Sequence, residues 1–285
     1  MLKRGLLTAF LLTLLLVSFI PAQAKQNSRR LMRRDTLMLK KGVVVLRSRL
    51  VQRKGKVAMR IPLYHRPAKG VPGKMLKLAF APTAKGREGD YLYWSVSSCA
   101  LKYSLAKRQH GWIMSLTYYP KYRTSDKQEE KITKALNKAK KSWAKDNMTE
   151  KLRKINTFIC ENLEYDKKIS DRSYNVYHAL HRKGGVCLVY SMLYYRLAVD
   201  AGIPCRIITG AIEDKKGHQT PHCWNAVKYR GKFYHTDLTY YDSSGKSKYL
   251  FKTWRKFYDK RLIQKKFSNF CICIINDPPR VYSEI

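Results

Sequence analysis

The sequence predicts an α+β protein in which a cysteine-bearing helix packs on an antiparallel sheet that carries a histidine and an aspartate. Three observations predict it. Gly184-Gly185-Val186-Cys187 opens an apolar helical run reaching Asp200. Thirty-five residues beyond the cysteine, His222-Cys223-Trp224-Asn225 opens an alternating strand. The chain turns at Gly231 and runs back to Asp237, fifteen residues after the histidine. A helix followed by hairpin-connected strands folds as a helix segregated onto one face of a sheet.

The elements follow in chain order. Residues 1–24 read as a secretory leader. Lys3-Arg4 is its basic start, residues 6–20 are apolar, and Ala22-Gln23-Ala24 is a small-x-small cleavage site. The apolar run is shorter than the roughly 20 residues of a membrane span. No cysteine follows it for a lipid anchor, and no second apolar run exists to span a membrane after cleavage. The expected location is secreted or extracytoplasmic.

Residues 25 to about 36 read as a basic, flexible lead-in. Residues 25–122 read as a β-rich domain resembling a small sandwich. Its strands are expected at 43–46, 57–61, 91–96 and 112–119, with Pro/Gly-rich loops at 67–73 and 82–89. Residues 123–285 read as the catalytic domain. Ser125 and Gln128 form a capping-box pattern for a helix to about residue 145. Thr149 is expected to cap a second helix, with Leu152, Ile155, Ile159 and Leu163 on one face. A short helix at 173–181 leads into the helix at 187–200, where Leu188, Met192, Tyr195 and Val199 form a stripe. Gly202 suits its C-terminus and Pro204 prevents continuation. Strands are expected at 205–211, 223–229, 232–238, 249–251 and 270–275, with 254–266 as helix or loop.

Each residue of the constellation suits thiol chemistry. The thiolate is the nucleophile, and a helix N-terminus lowers a thiol's pKa. An imidazole within reach takes the proton and returns it to the leaving group. A carboxylate on the other ring nitrogen sets tautomer and orientation. The N–H of Cys187 itself is a candidate donor to the oxyanion. Against this, cysteines are commonly core residues. His218 and His235 are rival histidines, and His235 shares the strand facing of Asp237. Asp237 has the alternative of capping a turn with Thr239. Trp224 reads as packing behind His222.

Residues 166–242 resemble the transglutaminase-like superfamily, a branch of papain-like thiol enzymes. The resemblance rests on Gly185-Val186-Cys187, Tyr190, Ala201-Gly202-Ile203-Pro204, His222, Trp224-Asn225, Gly231, Tyr234, Asp237 and Thr239. Tyr165-Asp166 and the preceding helices extend it. It implies a papain/transglutaminase-like catalytic core, a triad of Cys187, His222 and Asp237, and a thioester formed on an amide. Two departures stand out. Val189 replaces a small residue and is expected to narrow the substrate's approach; Cys223 stands where the family often has alanine.

The expected partner is therefore a protein or peptide amide, with the acyl-enzyme resolved by water or by an amine. A non-catalytic envelope-binding module on the same fold is the alternative. No cofactor is expected, and the cysteine and histidine spacing matches no zinc site. Besides Cys187, six cysteines remain: Cys99, Cys160, Cys205, Cys223, Cys271 and Cys273, enough for up to three disulfides in an oxidising compartment.

The chain carries 58 Lys+Arg against 20 Asp+Glu, and losing Lys3 and Arg4 with the leader leaves +36. Such a surface attracts polyanions. Anionic cell-envelope polymer is the expected partner, with salt-sensitive attachment; no motif points to specific nucleic-acid recognition.

Overall fold

The computed structural model describes residues 22–257 and 261–263. The described residues begin with helix α1, Ala22–Val51. Helix replaces both the expected lead-in and the expected strand at 43–46. Leu39, Val43, Leu46 and Leu50 recur at helical spacing, and the last three are buried against a common core. A four-residue apolar run does not distinguish strand from helix. Here the packed face overrides the β-preference of its valines. The helix comes close at Gly42: a Cβ there would lie 2.7 Å from Ile61 Cδ1 and 2.8 Å from Met75 Cε, so the ends of those two side chains would have to shift.

Strand β1, Val57–Leu63, is followed by helix α2, Val71–Ala79, and helix α3, Gly89–Ser95. Strands β2, Val96–Arg108, and β3, Gly111–Tyr122, form a long hairpin. The sheet order is β1-β3-β2, antiparallel throughout. This is one three-stranded sheet packed with α1 and α2 around a shared core, where a two-sheet sandwich was expected. The expected strand at 91–96 is mostly helix α3. Tyr91 and Trp94, three residues apart, enter the core around the cysteine helix, while Leu92 enters the core under β1–β3. A helical turn sends these side chains to two different cores.

Helix α4, Asp126–Lys140, starts at the expected capping box. The Gln128 N–H donates to Ser125 Oγ at 3.2 Å, and the Ser125 N–H donates to Gln128 Oε1 at 2.9 Å. Helix α5, Met148–Asn162, is capped by Asn147 rather than Thr149: Asn147 Oδ1 accepts from the Glu150 N–H at 3.0 Å. Leu152, Ile155 and Ile159 face inward as expected. Strand β4, Glu164–Tyr165, helix α6, Val176–Arg182, and strand β5, Gly184–Gly185, then set up the helix that matters most.

Helix α7, Cys187–Asp200, has the predicted bounds, but residues 188–199 are buried on all sides. It is a central helix, so no single stripe describes it. Gly202, at φ +81°, ends it, and the Ile203 N–H returns to the Ala198 carbonyl at 2.9 Å. Strands β6, Cys205–Glu213, β7, Gln219–Tyr229, and β8, Lys232–Thr236, pair antiparallel. Helix α8, Leu238–Ser244, and short helix α9, Trp254–Phe257, follow. Strand β9, Arg261–Ile263, completes the order β8-β7-β6-β9. The expected strand at 249–251 is a 3₁₀ turn at Ser247–Tyr249 followed by a single bridge between His235 and Lys252. The expected strand at 270–275, with Cys271 and Cys273, lies outside the described residues.

Two ion-pair clusters, one buried and one partly buried, join the N-terminal elements to this core. Glu129 on α4 receives Arg53 at 2.7 Å and Arg196 of α7 at 2.9 Å, and accepts from the Tyr91 hydroxyl at 2.9 Å. Burial opposes ionisation of Glu129, but the two guanidinium groups prevail and hold its pKa down at about 2. Asp90 accepts from Arg206 Nε at 2.8 Å and Nη2 at 3.0 Å, and from the Ile207 N–H at 2.8 Å. Cys99, Cys160, Cys205 and Cys223 all carry free thiols, so none of the expected disulfides forms among these four.

Candidate active site

Cys187 is the first residue of α7. Val186, at the N-cap, supplies no side-chain cap, so the dipole of a fourteen-residue helix acts directly on the thiol. The approach is tightly built. Tyr165 pairs with Gly185 in a short parallel ladder, and the Asp166 N–H donates to the Gly185 carbonyl at 3.1 Å. A Cβ on Gly184 would lie 2.5 Å from Asp166 Oδ1. A side chain at 184 would have to push the Asp166 carboxylate aside.

His222 lies on β7, and Asp237 follows the last residue of β8. Nε2 of His222 is 2.8 Å from Asp237 Oδ2, with both side chains buried. Cys187 and His222 line the same cleft, and with Nε2 held by Asp237 the ring's Nδ1 is the nitrogen left for the thiol. Asp237 has a second task. Its Oδ1 accepts from the Tyr240 N–H at 3.2 Å and so caps α8. One carboxylate therefore both orients the imidazole and caps a helix, the cap being made to Tyr240 and not to Thr239.

The charge states follow from these contacts. Burial opposes the charged imidazole, but the Asp237 carboxylate outweighs it, and the His222 pKa is pushed up to about 10. The Cys187 thiol is driven well below its ordinary value, first by a hydrogen bond from Cys223 and then, against burial, by His222. Burial pushes the Cys223 thiol well up, and its contact with Cys187 adds to this. Cys223 thus stays protonated and donates S–H to a Cys187 thiolate. The arrangement favours a thiolate–imidazolium pair at neutral pH.

The rivals are elsewhere. His218 is exposed on the β6–β7 turn, 3.0 Å from Asp214. His235 accepts from Trp224 Nε1 at 3.0 Å and stacks on Phe257 at 5.3 Å. It shares the strand with Asp237 only in sequence, because Asp237 leaves the strand to begin α8. Trp224 packs beside His222 as expected, with ring centres 6.1 Å apart and planes 22° apart.

A cleft opens onto the thiol, lined by Trp94, Leu188, Thr209 and Pro221 beside Cys187, His222 and Cys223. Tyr165 and Tyr174 lie close enough to Cys187 for their phenols to feel its charge, and Tyr240 meets the His222 ring edge-on at 5.3 Å. Sequence reasoning missed Trp94, Tyr174 and Tyr240, for which no local motif exists. It singled out Cys223 as a departure and as a possible disulfide cysteine, not as a neighbour of the thiol. Val189 does not line the cleft; it is fully buried, and its atoms would lie 3.2 Å from a Cβ on Gly185. Among the described residues, no group of three or more His, Cys, Asp or Glu side chains is placed to hold a metal ion.

The model of the Transglutaminase-like superfamily matches residues 134–238, the segment that contains Cys187, His222 and Asp237. That segment carries a transglutaminase-like core, the fold of a class of cysteine enzymes. No curated protein matches the chain. Solved structures show partial similarity. One is a proposed cysteine protease from Cytophaga hutchinsonii, 16% identical, with 50% of this chain and 65% of that one covered and a TM-score of 0.32. Another is a TGase, 15% identical, with 49% and 44% covered and a TM-score of 0.34. A proposed protease from Parabacteroides distasonis is 14% identical, with 63% and 39% covered and a TM-score of 0.26. The chain thus spans less than two thirds of each of these structures.

Proposed function

We propose that this chain is an extracytoplasmic cysteine enzyme that cleaves protein or peptide amides through a thioester. The observation that carries the reading is the imidazole of His222, held at 2.8 Å by the Asp237 carboxylate and lining the same cleft as the Cys187 thiol. The leader-like composition of residues 1–24 supports the location.

In this mechanism the Cys187 thiolate attacks the amide carbon, forming the C–S bond and an oxyanion. The helix dipole and the Cys187 N–H favour that negative charge. Collapse of the intermediate breaks the C–N bond as the His222 imidazolium gives its proton to the leaving nitrogen. The neutral imidazole then takes a proton from water, which attacks the thioester and releases the acid. This restores the thiolate and imidazolium. An amine entering in place of water would give a cross-link. The cleft opens to solvent and Cys187 is only half-buried, which favours water, since transamidation requires its exclusion.

Incubating a peptide substrate with a labelled amine separates the outcomes: free acid alone supports hydrolysis, and labelled conjugate supports transamidation. Iodoacetamide at pH 6 tests the enzyme reading itself. Rapid labelling confined to Cys187 supports it. Slow, equal labelling of accessible cysteines would instead favour a binding module on the same fold.

A further inference from the structure

Among the described residues, helix α1 meets the rest of the protein with one face. Val43, Leu46 and Leu50 are buried there. Asp35, the only carboxylate of the helix, is spent on the same side: it accepts from the Tyr64 N–H at 2.7 Å and the His65 N–H at 3.0 Å. Arg47 also turns inward, donating to the carbonyls of Ala79 at 2.9 Å and Leu78 at 2.8 Å.

The outward face has a different order. Leu37 and Val44 are seven residues apart, hence on one line along the helix, and are 50% and 62% exposed. Arg33 and Lys40 lie along one side of that line, and Arg34 and Lys41 along the other. All four are exposed. An apolar line therefore runs between two rows of cations, with no carboxylate of the helix beside it.

A solvated face gains nothing from leucine and valine at its centre. A polyanion such as nucleic acid would be held by the cations alone. An anionic bilayer surface uses both features. Its headgroups meet the cations, while apolar side chains reach the acyl boundary and flexible Lys and Arg stems keep their charges at headgroup level. No helix among the described residues is long and apolar enough to cross a membrane, which fits contact along the surface. We propose that the outward face of α1 docks on an anionic phospholipid bilayer. None of these residues lines the cleft at Cys187, so the inference stands apart from the catalytic reading.

The test is cosedimentation of residues 25–285, free of the leader, with vesicles of phosphatidylglycerol and phosphatidylcholine or of phosphatidylcholine alone. Binding is expected only to the anionic vesicles, with reversal by salt. Replacing Arg33, Arg34, Lys40 and Lys41 together by Gln should weaken binding about a hundredfold or more. Leu37→Asn with Val44→Asn should weaken it about tenfold. Replacing exposed Lys107, Arg108, Lys134 and Lys138 by Gln removes equal charge elsewhere and should change binding less than about threefold. All substituted side chains are exposed, and circular dichroism checks that the fold is kept. The proposal is overturned if the wild type does not bind anionic vesicles at low salt. An equal loss in the control variant would also overturn it. So would unchanged binding of the Leu37/Val44 variant, since that leaves a contact of charge alone, such as a wall polymer or nucleic acid would make.

Discussion

Asp237 holds Nε2 of His222 at 2.8 Å with one carboxylate oxygen and caps helix α8 with the other. The base of the proposed mechanism is thus oriented by the residue that starts the next element. Asp237→Asn separates the two tasks, because Asn caps a helix as well as Asp does. Thermal stability near pH 11, where His222 is neutral in both states, should change little. Turnover should fall about ten-thousandfold, as expected when the imidazole loses its orienting charge. Steady-state kinetics beside a melting curve check both halves.

The raised pKa of His222 makes stability depend on pH in a stated direction. The folded state holds the proton more tightly than the unfolded chain, whose imidazole titrates near 6.5, against about 10 in the fold. This contribution is fully present below about pH 6.5 and is lost as pH rises through about 10. Denaturant unfolding of wild type and Asp237→Asn across that window should show a stability gap that narrows with rising pH. A constant gap would contradict the imidazolium assignment.

Cys223 is expected to matter as a donor and not only as packing. Cys223→Ala removes the S–H that supports the Cys187 thiolate, so the acid limb of Cys187 alkylation should move to higher pH. Cys223→Ser keeps a donor and should recover part of the shift. The pH profile of iodoacetamide labelling reads this directly; a profile unchanged in the alanine variant would reduce Cys223 to a filler of space.

Glu129 joins Arg53, before the first sheet, to Arg196 on the cysteine helix. Glu129→Leu leaves both guanidinium groups without their carboxylate partner and should cost about 3–5 kcal/mol of stability. Equilibrium denaturation measures it. Cys187 should still react rapidly under conditions where the variant is folded, because Glu129 does not line the cleft.

Much of the C-terminal half was legible because its signals are local. The capping box at Ser125, the bounds of α7 and the three strands that follow it come from neighbouring residues, whereas β9 formed in a stretch expected to be helix or loop. Residue types and spacing also nominated Cys187, His222 and Asp237, and their side chains meet. The local signals were weaker elsewhere. Thr149 and Asn147 are both acceptable caps, and only the packed structure selects Asn147.

The sequence by itself determined the α+β class, the helix that begins at Cys187 and the candidate constellation, since helical period, caps and turns act within a few residues. Tertiary structure decided the rest. It made residues 43–46 helix rather than strand, because burying Val43, Leu46 and Leu50 together against one core outweighs a local β-preference. It turned residues 89–95 into a helix that serves two cores and brings Trp94 to the cleft. It also set Cys223 against Cys187 and His235 away from it. Those contacts join residues far apart in the chain, and such pairings are set by how whole elements pack.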